Sequence, residues 1–274
     1  TNARFALETA TGRFEHRSSL RCAEHADFHA AVSAYLATLP AELGRILHAA
    51  VAIANPVEGD SVRMTNYHWQ FSIEEMRERL RFDTLVVVND FTALAMAVPR
   101  LGPHERRQVG GGELREQSVV GVLGAGTGLG VSGLIPAADG WVALGTEGGH
   151  TNFAPRDERE LAILRYAWQK YRHVSFERLL SGIGLPTLHQ AVAAVLGQAA
   201  PSLNARDIVQ RACAGQDALC ERTIDAFCAL LGGFAGNVAL TLGARGGVCI
   251  GGGIVPRLGE HFVKSGFRER FEDK

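Results

Sequence analysis

Asp90 follows the run Thr84-Leu-Val-Val-Val-Asn89, and an apolar helical pattern opens just beyond it. The run reads as a buried strand, too short and too β-branched for a helix. A carboxylate at the carboxyl end of such a strand lies where open α/β sheets hold their ligands. There it can take a proton from a hydroxyl, or it can cap the following helix, a position that favours Asp. Leu144-Gly-Thr-Glu147-Gly-Gly-His150 places a second carboxylate and an imidazole in a loop that Gly148 and Gly149 make flexible. Neither group belongs in a core unless paired. Glu147 can accept from ligand hydroxyls and His150 can donate or accept; a solvated loop with an orienting His is the plainer reading. A metal would need further ligands at suitable spacing, and none is nearby. Glu177, inside Ser175-Phe-Glu-Arg-Leu-Leu-Ser-Gly182, reads by itself as a helix surface residue.

Two glycine clusters accompany these side chains. In Gly124-Ala-Gly-Thr-Gly-Leu-Gly130, consecutive N–H groups can converge on an anion without hindrance from Cβ atoms, and Thr127 adds a hydroxyl. A tight β-hairpin explains the same residues. The spacing is not that of a dinucleotide fold, a strand rather than a helix follows, and no phosphate-loop lysine is present. Gly246-Gly-Val-Cys-Ile-Gly-Gly-Gly253 lies at a strand-to-helix turn; it suits close approach of a ring or phosphate, and strand–helix packing equally well.

The elements that must position these groups alternate between strands and helices. Residues 3–8 and 14–20 read as strands joined at Thr11-Gly12, 28–39 as a helix ending at Pro40, and 49–54 as a strand. Ser72-Ile-Glu-Glu75 is a capping box for a helix reaching Leu80. Residues 99–117 are polar and rich in Gly and Pro, a candidate boundary or hinge. Strand, glycine turn and strand follow from Val119 to Ile135. The chain's opening resembles the second half of such a unit, a faint internal echo. Helical spacing marks 157–171, 175–180, 185–196, 207–213 and 255–271. It also marks 218–242, where Gly232, Gly233 and Gly236 are expected to break it. The fold class expected is α/β, with a small domain over 1–100 and a large one over 101–274.

Composition excludes several classes. The net charge is −1 and the pI about 6.8, with Lys and Arg scattered, so nucleic acid and acidic membranes are not expected partners. No apolar run long enough to span a bilayer is expected, and no signal peptide opens the chain. Five cysteines without metal-ligand pairing point to reduced thiols and a cytoplasmic location. The chain begins as if inside a turn entering a strand, and stops in a charged segment with no closing element.

Taken in order, the motifs closely resemble bacterial glucokinases of the proteobacterial type, over essentially the whole chain. They are Thr1-Asn-Ala-Arg4, Asn89-Asp-Phe-Thr-Ala93, Gly124–Gly130, Glu147-Gly-Gly-His150 with Phe153-Ala-Pro155, Glu177-Arg-x-Leu-Ser-Gly182 and Gly251-Gly-Gly-Ile-Val-Pro256. The resemblance implies the two-domain actin-like ATPase (ribonuclease H-like) fold with a cleft between the domains, usually as a cytoplasmic homodimer. It implies transfer of phosphate from ATP, with Mg²⁺, to glucose. Asp90 corresponds to the family's base, and Asn89, Asp90, Glu147, His150 and Glu177 to its sugar ligands. Thr1 and Asn2 match the end of a first phosphate loop whose preceding Asp-x-Gly-Gly would lie ahead of this sequence. Gly124, Gly126, Thr127 and Gly128 match the second loop, and Gly251, Gly252 and Gly253 the adenosine side. Met64–Trp69 is similar to a loop over the sugar pocket. Rival readings are a kinase for another hexose or amino sugar, and a non-catalytic sugar sensor on the same fold.

Overall fold

A computed structural model describes residues 2–64 and 67–274, so Thr1 and two residues of the Met64–Trp69 loop lie outside the described residues. Chain contacts group into two compact units, one ending at Ala93 and one running Leu94–Lys274.

In the first unit, β1 (Asn2–Ala10) and β2 (Arg13–Arg21) form an antiparallel hairpin turned at Gly12, as the two expected strands require. Helix α1 (Phe28–Leu36) starts on Asp27, whose carboxylate accepts from Ala30 N–H at 2.7 Å. Phe5 of β1 stacks on Tyr35 of α1 with ring centroids 4.8 Å apart. Strand β3 (His48–Ile53) pairs in parallel with a later strand, and β4 (Ser61–Arg63) with β5 (Gln70–Ser72). Helix α2 (Ile73–Arg79) begins on Ser72, whose hydroxyl accepts from Glu75 N–H at 3.0 Å. Strand β6 (Thr84–Asn89) is β3's partner, in register from His48↔Thr84 to Ile53↔Asn89. It is not buried on both faces as expected: Leu85 and Val87 enter the core while Val86 is 46% exposed. In a two-stranded sheet successive side chains alternate between packed and open faces.

Helix α3 (Asp90–Ala97) follows directly, and its far end belongs to the second unit, where Ala95 and Val98 pack with Val120, Val122 and Leu134. That unit is built on a four-stranded sheet in the order β10-β7-β8-β9. Strand β7 (Val120–Ala125) is buried throughout. β8 (Leu129–Ala137) and β9 (Gly140–Thr146) continue the sheet antiparallel, and β10 (Val248–Gly251) lies parallel to β7 on its other side. Helices α4 (Glu158–Trp168), α5 (Leu185–Val195), α6 (Ala205–Cys213) and α7 (Ala218–Leu242) carry most of the core, with Phe227, Leu188, Ile224 and Leu231 fully buried. Three short helices close the chain: α8 (Val255–Leu258), α9 (Glu260–Lys264) and α10 (Phe267–Glu272).

Four expectations change here. α7 is one unbroken helix of 25 residues, although glycine in a helix interior costs about 1 kcal/mol relative to alanine. A Cβ on Gly232 would strike the Phe267 carbonyl, and one on Gly236 would lie 2.8 Å from the Phe271 oxygen, so these glycines admit α10 rather than break α7. By length and composition α7 is apolar enough to cross a membrane, contrary to expectation, but 67% of its apolar window is buried, as in a core helix. Residues 175–180 form turns rather than a helix, and 255–271 are divided at Gly259 and Ser265.

Candidate active site

Asn89 ends β6 and Asp90 opens α3. The cap is Asn89: its Oδ1 accepts from Phe91 N–H at 2.9 Å and Thr92 N–H at 3.3 Å, while Nδ2 donates to the Asn55 carbonyl at 3.2 Å. The capping alternative for Asp90 is therefore replaced by capping from its neighbour. Three of Asn89's four amide positions are engaged in this way, leaving one N–H for a ligand. Asp90 is partly buried, and desolvation pushes its carboxyl above the ordinary Asp range, against the backbone N–H groups of Phe91 and itself. A carboxylate so placed is a stronger base than a free one. Asn2, at the start of β1, pairs with Arg21 and is exposed; Thr1 is outside the described residues.

The remaining predicted residues all fall in the second unit. The hairpin from β7 to β8 turns on Gly126, Thr127 and Gly128, closed by Gly126 N–H donating to the Gly128 carbonyl at 2.8 Å. Its flank meets the second glycine cluster, since Gly251 pairs with Gly124 and Ile254 N–H donates to the Ala125 carbonyl at 3.1 Å. Gly124 and Gly252 are required by that packing, because a Cβ on either would strike the other segment's backbone. Gly126 and Gly253 are different: a Cβ on either meets nothing closer than 4.0 Å. Open space beside the turn, with the exposed Thr127, suits an anionic ligand.

Glu147, His150 and Glu177 come together beside this hairpin. His150 Nε2 is 3.7 Å from Glu147 Oε2, and its Nδ1 is 3.8 Å from Glu177 Oε1. Both separations exceed hydrogen-bond length, so the three side chains keep donors and acceptors for a ligand rich in hydroxyls. Glu147 and His150 are more than half exposed and Glu177 is 17% exposed. Residues 148–150 form a tight turn whose glycines let it pack on β8, with Gly149 against the Leu129 carbonyl and Gly148 against Val131.

Glu177 also changes character. It is no helix surface residue; its Oε2 accepts from Leu129 N–H at 3.0 Å and its own N–H donates to the Gly149 carbonyl at 3.0 Å. Local spacing does not point to the N–H groups of Gly182 and Ile183, which bind the same hairpin, or to Ser181, which braces their segment on the Glu177 carbonyl. The one signal for them was glycine at 182 and 184 in a stretch taken to be leaving a helix.

An α/β chain of two units, with a glycine hairpin beside a carboxylate–imidazole cluster, has the two-domain actin-like ATPase fold of sugar kinases. The chain belongs to the glucokinase family, whose profile matches residues 1–274. It is similar to the glucokinase of Chromobacterium violaceum, 54% identical over 274 residues that span 100% of this chain and 78% of that protein. Among solved structures it resembles a glucokinase from an Antarctic psychrotroph, with TM-score 0.89, 36% identity and coverage of 100% of this chain and 86% of that one. The "Bifunctional protein glk" of Burkholderia pseudomallei is 57% identical over 275 residues, and the chain spans only 42% of its length.

Proposed function

We propose that the protein transfers the terminal phosphate of ATP to glucose, giving glucose 6-phosphate, with Asp90 as the base for the 6-hydroxyl. The observation that carries this reading is the convergence of Glu147, His150 and Glu177, beyond hydrogen-bond distance of one another, on one flank of the Gly126–Gly128 turn. Carboxylates and an imidazole with spare capacity suit sugar hydroxyls, and the open glycine backbone suits phosphates. Phosphoryl transfer depends on positioning and charge neutralisation more than on covalent chemistry, which is what such a site offers.

In this reading Asn89, Asp90, Glu147, His150 and Glu177 orient the sugar. The turn 126–128 holds phosphates, and Gly251–Gly253 flanks the nucleoside. Asp90 accepts the hydroxyl proton as the new O–P bond forms, and the upward shift of its pKa by burial improves it as a base. Among the described residues no group of three or more His, Cys, Asp or Glu side chains could hold a metal. Mg²⁺ keeps much of its water and binds mainly through substrate phosphates, so the phosphates beside the turn 126–128 would carry it. Mg²⁺ would supply charge neutralisation there. The family resemblance supports a cytoplasmic homodimer, and the five free cysteines are in keeping with a reducing compartment.

An assay of ADP release with MgATP tests the reading. ADP formed with glucose, and more slowly with mannose, fructose and N-acetylmannosamine, is expected. A preference for another sugar makes the protein a sister kinase. Sugar binding without ADP makes it a sensor, and ADP without sugar makes it an ATPase.

A further inference from the structure

The Gly126–Thr127–Gly128 turn is held at its tip by a segment that begins inside the carboxylate–imidazole cluster. Glu177 faces both ways, with Oε1 toward His150 at 3.8 Å and Oε2 accepting from Leu129 N–H at 3.0 Å. Further along, Gly182 N–H donates to the Gly126 carbonyl at 2.8 Å and Ile183 N–H to the Thr127 carbonyl at 3.3 Å. Ser181 fixes the length of this arm. Fully buried, it donates to the Glu177 carbonyl at 2.7 Å and accepts from Gly184 N–H at 3.0 Å. Backbone comes so close that a Cβ on Gly182 would sit 2.9 Å from the Gly126 oxygen, and one on Gly128 2.5 Å from Glu177 Oε2.

We infer that residues 177–183 are a coupling arm through which a sugar held by Glu147, His150 and Glu177 sets the position of the phosphate turn, with Gly182 as a positioning residue. The inference rests on the kinase reading above and goes beyond it by assigning the link between the sugar and phosphate subsites to this arm and to Gly182. A hydroxyl drawn to Glu177 Oε1 reorients the carboxylate whose other oxygen holds Leu129. The turn follows, because three bonds spread over residues 126–129 tie it to the same arm. Coupling of this kind is reciprocal: nucleotide must tighten glucose by the factor by which glucose tightens nucleotide.

The test is calorimetric titration of the purified protein with glucose, alone and with a non-hydrolysable ATP analogue plus Mg²⁺. Wild-type protein is expected to bind glucose at least about fivefold more tightly with the analogue present. In Gly182→Ala the glucose affinity without nucleotide should stay within about twofold, while the coupling falls to near unity and KM for ATP rises about tenfold. Ser181→Ala, which adds no atom, serves if Gly182→Ala does not fold, and should lose coupling in the same sense. A folded variant of either kind that keeps wild-type coupling overturns the inference. So does a wild-type protein that phosphorylates glucose without any coupling. If the wild type neither binds glucose nor releases ADP with it, the kinase reading fails and this inference falls with it.

Discussion

At position 89 one amide oxygen takes the two N–H groups that open α3, Phe91 at 2.9 Å and Thr92 at 3.3 Å. The Asp90 carboxylate meets only the backbone N–H groups of Phe91 and itself, and burial raises its proton affinity against them. Asp90→Asn should retain glucose binding within a few-fold and lower kcat by a factor on the order of 10² or more, the usual scale for a general base. Near-wild-type turnover would remove Asp90 from the mechanism. The raised pKa fixes the sign of the pH dependence. Activity should fall as pH drops through the Asp90 pKa, at a higher pH than an ordinary Asp would give, and the residual activity of Asp90→Asn should lack that limb. Folding favours the protonated form, so this carboxyl's contribution to stability is present at low pH and lost as pH rises through the folded pKa. Asp90→Asn, which never ionises, should therefore melt no lower than wild type at pH 7, and a clear drop in Tm would contradict the capping assignment. The sequence made the Asn-Asp pair at a strand end legible but not which member caps, because that depends on an amide's reach to Asn55 from a neighbouring loop.

At the scale of elements, α7 shows what local propensity cannot tell. Its glycines read as breaks along the chain, yet Gly232 and Gly236 meet α10 and the residues just after it, some 35 residues later. Neighbouring glycines in the one helix should then respond with opposite signs. Gly232→Ala places a methyl against the Phe267 carbonyl, and overpacking of about 1–3 kcal/mol should outweigh the helix-propensity gain. Gly233→Ala meets only the flexible Arg270 guanidinium, 3.5 Å away, and should gain up to about 1 kcal/mol. Urea unfolding of the two variants checks both signs. Segment 175–180 misled for a related reason: its apolar spacing is helical, but its backbone N–H groups at 176 and 177 are drawn to the Thr151 and Gly149 carbonyls instead.

For the whole molecule, strands and helices were legible through their periods and caps, and the glycine hairpin through its composition. Hidden from the sequence was the convergence of Glu177 on Leu129, 48 residues away. Neither residue bears a local mark of the other. Ligand linkage gives a whole-molecule test of the proposed sugar: glucose at 100 times its Kd should stabilise the fold by about 2.7 kcal/mol, raising Tm by several degrees. Differential scanning calorimetry should show no such rise with a sugar the protein does not bind; an unchanged Tm with saturating glucose would count against the sugar assignment. The cap on Asn89 carries one further consequence, for ancestry and for engineering. Because Asn89 carries the cap of α3, the proposed mechanism lets a single substitution at 90 silence turnover while the scaffold and the proposed sugar ligands persist. Descendants of such an enzyme can become nutrient detectors by losing one oxygen's charge, and a laboratory can make the same detector on purpose.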